Sequence, residues 1–243
     1  MESSLDAASA VDTSAVAMDA AAINSAAMDA AAIDTVTFRI AESPADKSDV
    51  IKLRDEVYVQ DQGRLGDTSD TADTFDRFDG NAVYILAADG AEPVGTIKVV
   101  PDTQAGLPCE DMVDVAALRP GNRLVEFGHL MTVPRARGKA IGMALMRTAL
   151  LFSIAEYAAT HVLGDFFAEQ DGGLRGFYRQ IGFVPVGPAY RDARFLGAPL
   201  SVVAVLDLPD AGRRARADRE GRNVPLQYFF HDYDDHARAR DAD

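Results

Sequence analysis

Arg135-Ala-Arg-Gly-Lys-Ala-Ile-Gly142 lies between a long strand candidate, 124–133, and a strongly apolar helical stretch, 141–159. Gly138 and Gly142 let the backbone turn tightly and let a ligand approach closely. The helix that follows presents free N–H groups and the positive end of its dipole. A pyrophosphate fits such a place, and Arg137 and Lys139 add countercharge. No Gly-Lys-Ser/Thr occurs here, so this is not the Walker pattern. Two readings stand, an ordinary basic turn and an anion cradle. The position between strand and helix raises the value of the second.

Outward from this loop, 35–40 alternates like a strand, and Val50, Ile51, Leu53, Val57 and Tyr58 give 46–58 helical spacing. Residues 81–88 and 94–100 read as strands of a hairpin turning at Gly90, and 101–119 is irregular. Strands at 161–168, 183–186 and 200–208 and a short helix at 174–181 complete the order. The expected fold is a mostly antiparallel sheet with helices packed on it and one βαβ crossover at 124–168.

The charge balance bounds the function. The 243 residues hold 38 Asp plus Glu against 24 Lys plus Arg, a net charge of −14. Such an excess argues against broad nucleic-acid binding and against docking on anionic lipid. The acid is concentrated: residues 1–100 hold 19 acids against 7 bases, whereas 115–150 hold six bases and one acid, Glu126. The loop therefore lies in a cationic stretch of an anionic protein. One cysteine, Cys109, cannot form an internal disulfide, and with four His it excludes a Cys-rich zinc module. No apolar run reaches the roughly 20 residues of a spanning helix. No base precedes Arg39, so a basic-headed secretory signal is not expected and a cytoplasmic location is.

The ends differ from the middle. Residues 1–35 hold thirteen Ala and a ten-residue near-repeat, with few large apolar groups to bury. They read as a low-complexity, disordered tail, with a partner-docking helix as the alternative. The folded domain is expected over 36–208. Residues 209–243 form an extension, Arg-rich at 213–222 and then aromatic and acidic at 228–236. The Arg run reads as a solvated face or as a docking patch for an acidic carrier protein. His231, Asp232, Asp234 and His236 could be imagined around a metal ion, but neighbours in a tail lack a scaffold to converge; no metal is expected.

Arg137-Gly-Lys-Ala-Ile-Gly142 resembles the acyl-donor loop of the GNAT (GCN5-related N-acetyltransferase) superfamily, Gln/Arg-x-x-Gly-x-Gly/Ala. Ala140 stands where Gly is usual, which a helix start should tolerate. Gly176-Phe-Tyr-Arg-Gln-Ile-Gly-Phe183 resembles the superfamily's Phe-Tyr-x-x-x-Gly-Phe segment. The amino-terminal half narrows the resemblance to the acyl-homoserine-lactone synthases and the long-chain N-acyl amino acid synthases. It is carried by Leu53-Arg-Asp-Glu-Val-Tyr-Val-Gln-Asp-Gln-Gly63, Asp76-Arg-Phe-Asp79, Gly95-Thr-Ile-Lys98 and Glu126-Phe-Gly-His129. Lys98 and His129 replace the Arg of those families, and both weigh against lactone synthesis. The resemblance implies an α/β (α+β) GNAT fold, with a six- to seven-stranded mixed sheet and a βαβ donor-binding unit.

It also implies site roles. Acyl transfer to an amine needs a held thioester, a base for the ammonium and an acid for the leaving thiolate. Glu126, a carboxylate in mid-strand, is the candidate base, direct or through water. His129 is the alternative base or an acceptor-site residue; a bulge at Gly128 would bring it to the side of Glu126. Tyr178 is the general acid by the family match. Amides near Leu130 and Met131 would polarise the thioester carbonyl, and Val133, Arg137, Gly138, Lys139, Ala140, Ile141 and Gly142 would hold the phosphopantetheine. Arg54, Asp76, Asp79 and Lys98 form an acceptor-side or structural charged cluster. Cys109 has no local base and is a poor nucleophile. The expected protein is a monomeric or homodimeric N-acyltransferase. It would use acyl-CoA or an acyl carrier protein as donor and a small amine or amino acid as acceptor. The alternatives are an autoinducer synthase and a non-catalytic acyl-CoA-binding or partner-binding module.

Overall fold

The computed structural model describes residues 35–66, 77–168, 173–193, 195–197 and 200–234. The Ala-rich tail to residue 34, Asp76 and His236 lie outside the described residues. Among the described residues seven strands form one sheet in the order β1-β2-β3-β4-β5-β7-β6. They are β1 Val36–Ile40, β2 Val83–Asp89, β3 Glu92–Pro101, β4 Leu124–Thr132, β5 His161–Phe167, β6 Val184–Pro185 and β7 Ser201–Asp207. All neighbours are antiparallel except β4 and β5. A parallel pair needs a crossover, supplied by α2, Ile141–Tyr157. The expected mixed sheet with one βαβ unit is what the chain builds.

Helix α1, Pro44–Arg54, starts where Ser43 and Asp46 bond reciprocally: Asp46 N–H donates to Ser43 Oγ at 3.1 Å and Ser43 N–H to Asp46 Oδ2 at 3.0 Å. The expected helix to residue 58 does not stay α-helical. From Asp55 to Asp61 the backbone widens into a π-helix, with Gln62 N–H bonding Val57 C=O. A side-chain period cannot announce this change, because Val50, Leu53, Arg54, Val57 and Tyr58 are all buried at spacings an α-helix would also give.

Alternate strand residues feed two apolar clusters. On β4, Val125 and Phe127 join the main core with α1 and α2, while Leu124 joins a smaller cluster with Val100, Cys109 and Leu163. The carboxy-terminal segment belongs to the main core. Helix α3 is Gly173–Ile181; after β7 come α4, Leu208–Ala217, and α5, Val224–Phe230. Leu226, Phe229 and Phe230 are buried in the main core. Arg147 of α2 binds Asp232 at 2.5 Å, and its guanidinium lies 5.8 Å from the Tyr228 ring centroid. In the 213–222 Arg run, Arg213, Arg216, Arg219 and Arg222 are exposed. Arg214 instead donates to the Gln180 carbonyl at 3.2 Å, capping the end of α3.

Candidate active site

Strands β4 and β5 pair only from Leu124↔His161 to Phe127↔Gly164, although β4 continues beside β3 to Thr132↔Gly95. Beyond Phe127 the sheet therefore opens, and β4 no longer pairs with β5. A bulge marks the opening. Thr96 faces Met131 and Lys98 faces Gly128, so His129 and Leu130 together oppose Ile97. The irregularity falls at His129–Leu130, one residue beyond the expected Gly128. His129 adopts φ 48°, a left-handed conformation that non-glycine residues occupy at a cost.

A cavity of about 200 Å³ lies at this opening. Glu126, Leu130, Met131, Lys98 and Tyr178 reach it, and the bulge brings His129 to it as well. Glu126 is 7% exposed, and its Oε2 accepts the Cys109 N–H at 2.8 Å. Tyr58, from the π-helix, meets His129 Nδ1 through its hydroxyl at 3.2 Å. The apolar wall includes Val100, Met112, Leu163, Phe166 and Phe195. Tyr178 is held in aromatic packing, its ring centroid 3.8 Å from that of Phe166. Its hydroxyl lies 3.9 Å from Met146 Sδ, and burial pushes the phenol well above its ordinary pKa. It keeps its proton at neutral pH. Burial, and then the Glu126 charge, likewise drive the Cys109 thiol far up, so no thiolate nucleophile forms there.

The loop at 135–142 lies beside the cavity rather than in its wall. After a turn of 3-10 helix at Pro134–Ala136, Gly138 takes φ 75° and Ala140 φ 58°. Ala140 is thus not an ordinary helix-start residue: it is a left-handed cap, where Ala costs roughly 1–2 kcal/mol more than Gly. The first intrahelical bond of α2 is Ala144 N–H to Ala140 C=O, so the amides of Ile141 and Gly142 precede it and head the helix. Arg137 pairs with Asp61 and donates through Nε to Thr132 C=O at 3.3 Å. Arg135 pairs with Glu56, and Lys139 is exposed. Val133 is engaged within the protein, its N–H on Val94 C=O and its C=O on Ala136 N–H.

Arg54, Asp79 and Lys98 do converge. Arg54 Nη2 donates to Tyr84 Oη at 2.6 Å, Tyr84 Oη donates to Asp79 Oδ1 at 2.8 Å, and Lys98 Nζ reaches the same oxygen at 2.5 Å. Arg54 and Lys98 are almost fully buried, and of the three only Lys98 lines the cavity. Sequence alone did not single out Tyr84, the hub of this network, or Gln62, Arg64, Asp165, Tyr190 and Asp192; the last five line the cavity. Gln62 and Arg64 lie in or beside the 53–63 stretch and were within reach. Asp165, Tyr190 and Asp192 carried no local signal. Among the described residues no group of three or more His, Cys, Asp or Glu side chains could hold a metal ion. No helix there is long and apolar enough to cross a membrane.

Solved structures share the fold. FeeM, an N-acyl amino acid synthase from uncultured soil microbes, matches with TM-score 0.58 at 20% identity, covering 72% of this chain and 92% of that one. An acyl-CoA N-acyltransferase from Pseudomonas aeruginosa matches with TM-score 0.50 at 17% identity, covering 70% and 98%. Arabidopsis thaliana NAA60 in complex with acetyl-CoA matches with TM-score 0.50 at 16% identity, covering 72% and 99%. No curated protein matches the sequence. The family model of the N-acyl amino acid synthase FeeM matches residues 49–205. That match spans more than half of the chain, which belongs to the FeeM N-acyl amino acid synthase family and is an N-acyltransferase of the GNAT fold.

Proposed function

We propose that the enzyme moves an acyl group from a phosphopantetheine thioester, on CoA or an acyl carrier protein, to the amine of an amino acid or similar small molecule. The observation that carries this is the opening between β4 and β5, which gathers Glu126, His129 and Tyr178 around one cavity beside the head of α2. The thioester pairs with the free edge of β4, its phosphates rest on the amides of Ile141 and Gly142, and its acyl chain runs along the apolar wall. His129, or Glu126 through a water, takes the ammonium proton. For His129 this requires Nδ1 to carry its proton toward Tyr58 so that Nε2 is the base. A β4 amide past the bulge stabilises the oxyanion, and Tyr178 returns a proton to the thiolate. Attack is direct, with no covalent enzyme intermediate.

The test is thiol release from matched acyl-CoA and acyl-carrier-protein panels with mixed amino acids and amines. Release with at least one pairing is expected, and Glu126→Gln or His129→Gln should lower kcat about 100-fold with donor affinity kept. No thiol release from any pairing by folded protein would overturn the reading.

A further inference from the structure

Arg64 leaves the π-helix region with its backbone held at both ends: its N–H donates to Tyr58 C=O at 2.7 Å, and its C=O accepts from Leu196 N–H at 2.8 Å. Its guanidinium sits 4.7 Å from the centroid of the Phe167 ring on β5, in the cavity wall. Burial works against its charge and lowers its pKa. Among the described residues that guanidinium makes no hydrogen bond or ion pair. Arg119, Arg135, Arg137 and Arg147, by contrast, each bind a carboxylate. Asp165, whose charge is felt at Arg64, accepts instead from Tyr190 Oη at 3.3 Å. Five donors on a half-buried cation call for an acceptor from outside, and a carboxylate fits that fork in a bidentate way. Two residues back, Gln62 lines the same cavity. Its side-chain oxygen is buried without a hydrogen-bond partner among the described residues, as an acceptor for an N–H.

We infer that Arg64 is a specificity residue, binding the carboxylate of the acceptor so that the enzyme selects amines with an adjacent carboxylate. The inference rests on the acyl-transfer reading above. Tyr58 joins the two ends of the site: its carbonyl holds Arg64 and its hydroxyl holds His129. An α-amino acid places one carbon between carboxylate and amine. With the first group on Arg64, Gln62 can accept from the second and turn it toward His129.

The experiment compares free amino acids with their methyl esters as acceptors of dodecanoyl-CoA or dodecanoyl carrier protein, in wild type, Arg64→Gln and Arg64→Lys. Wild type should prefer the acids. Arg64→Gln should raise their KM about 10- to 100-fold, the size of a lost charged hydrogen bond, with kcat and ester use little changed. Arg64→Lys should recover part of the loss. An unchanged acid-to-ester ratio in folded Arg64→Gln overturns the assignment. Calorimetry with N-dodecanoylglycine and its methyl ester reads the same preference without turnover. Tighter binding of the acid in wild type only supports Arg64; equal affinity, or binding of neither, overturns it. If the acid preference stands while no thioester reacts with any acceptor, the carboxylate site survives and the acyl-transfer reading fails.

Discussion

Tyr58 and His129 meet at 3.2 Å through the tyrosine hydroxyl and the imidazole Nδ1, across 71 residues of chain. One sits on a π-helix and the other on a strand bulge, so each of two local irregularities orients the other's side chain. Tyr58→Phe should keep the edge contact with Phe195, whose ring centroid is 5.3 Å away, and lose only the hydrogen bond. A loss of about 1 kcal/mol of positioning predicts a fall in kcat of roughly 5- to 10-fold. Steady-state kinetics with saturating donor and acceptor check this; an unchanged kcat would place the base away from His129.

Lys98 and Asp79 form a buried ion pair, with side-chain exposures of 1% and 16%. Removing one partner strands the other charge, so Lys98→Met should cost about 3–5 kcal/mol. The pair Lys98→Met with Asp79→Leu removes both charges and should be more stable than Lys98→Met alone. Denaturant unfolding of the three proteins makes the comparison.

Arg137 is paired with Asp61, and in the proposed donor site it must leave that partner to meet a phosphate. That competition weakens donor binding by the worth of a partly exposed ion pair, about 0.2–1 kcal/mol. Asp61→Asn should therefore lower the donor KM by up to about 5-fold, whereas Arg137→Gln should raise it. Both changes should shrink as salt is added, which an ionic-strength series would reveal.

The start of α1 gives a pH signature. The Ser43 hydroxyl, and then the Ser43 N–H, hold the Asp46 carboxyl down at about 2, from an ordinary value of 3.8. A carboxylate depressed in the folded state stabilises it fully above the unfolded value and loses that contribution as pH falls toward the folded one. The stability gap between wild type and Ser43→Ala should therefore be full at neutral pH and shrink from about pH 4 to pH 2. Urea midpoints across that range measure it.

Much of the fold was legible because strand alternation and helix spacing are local. Residues 81–88, 94–100, 124–133 and 161–168 each carry their own period, and the observed β2, β3, β4 and β5 follow them to within a few residues. Glu126, His129 and Tyr178 were also legible, since each stands in a recognisable stretch, and they line one cavity. The π-helix was not, because one extra residue per turn leaves no mark on a short apolar pattern. Nor was Tyr84, an ordinary strand tyrosine until Arg54, Asp79 and Lys98 surround it.

The loop at 135–142 draws the same line. Its glycines, bases and place between strand and helix made it a candidate phosphate cradle, because backbone freedom and a helix start are properties of a few adjacent residues. Its charge was decided elsewhere. Of the six bases in 115–150, Arg119, Arg135, Arg137 and Arg147 are each met by acids from other segments. Ion pairs between groups some 80 residues apart, such as Arg135 with Glu56, form only once the chain has folded. By itself the sequence determined the glycine-rich turn between strand and helix on which the proposed donor site rests; which of its charges are already met by partners only the tertiary structure decided, because those acids come from distant segments.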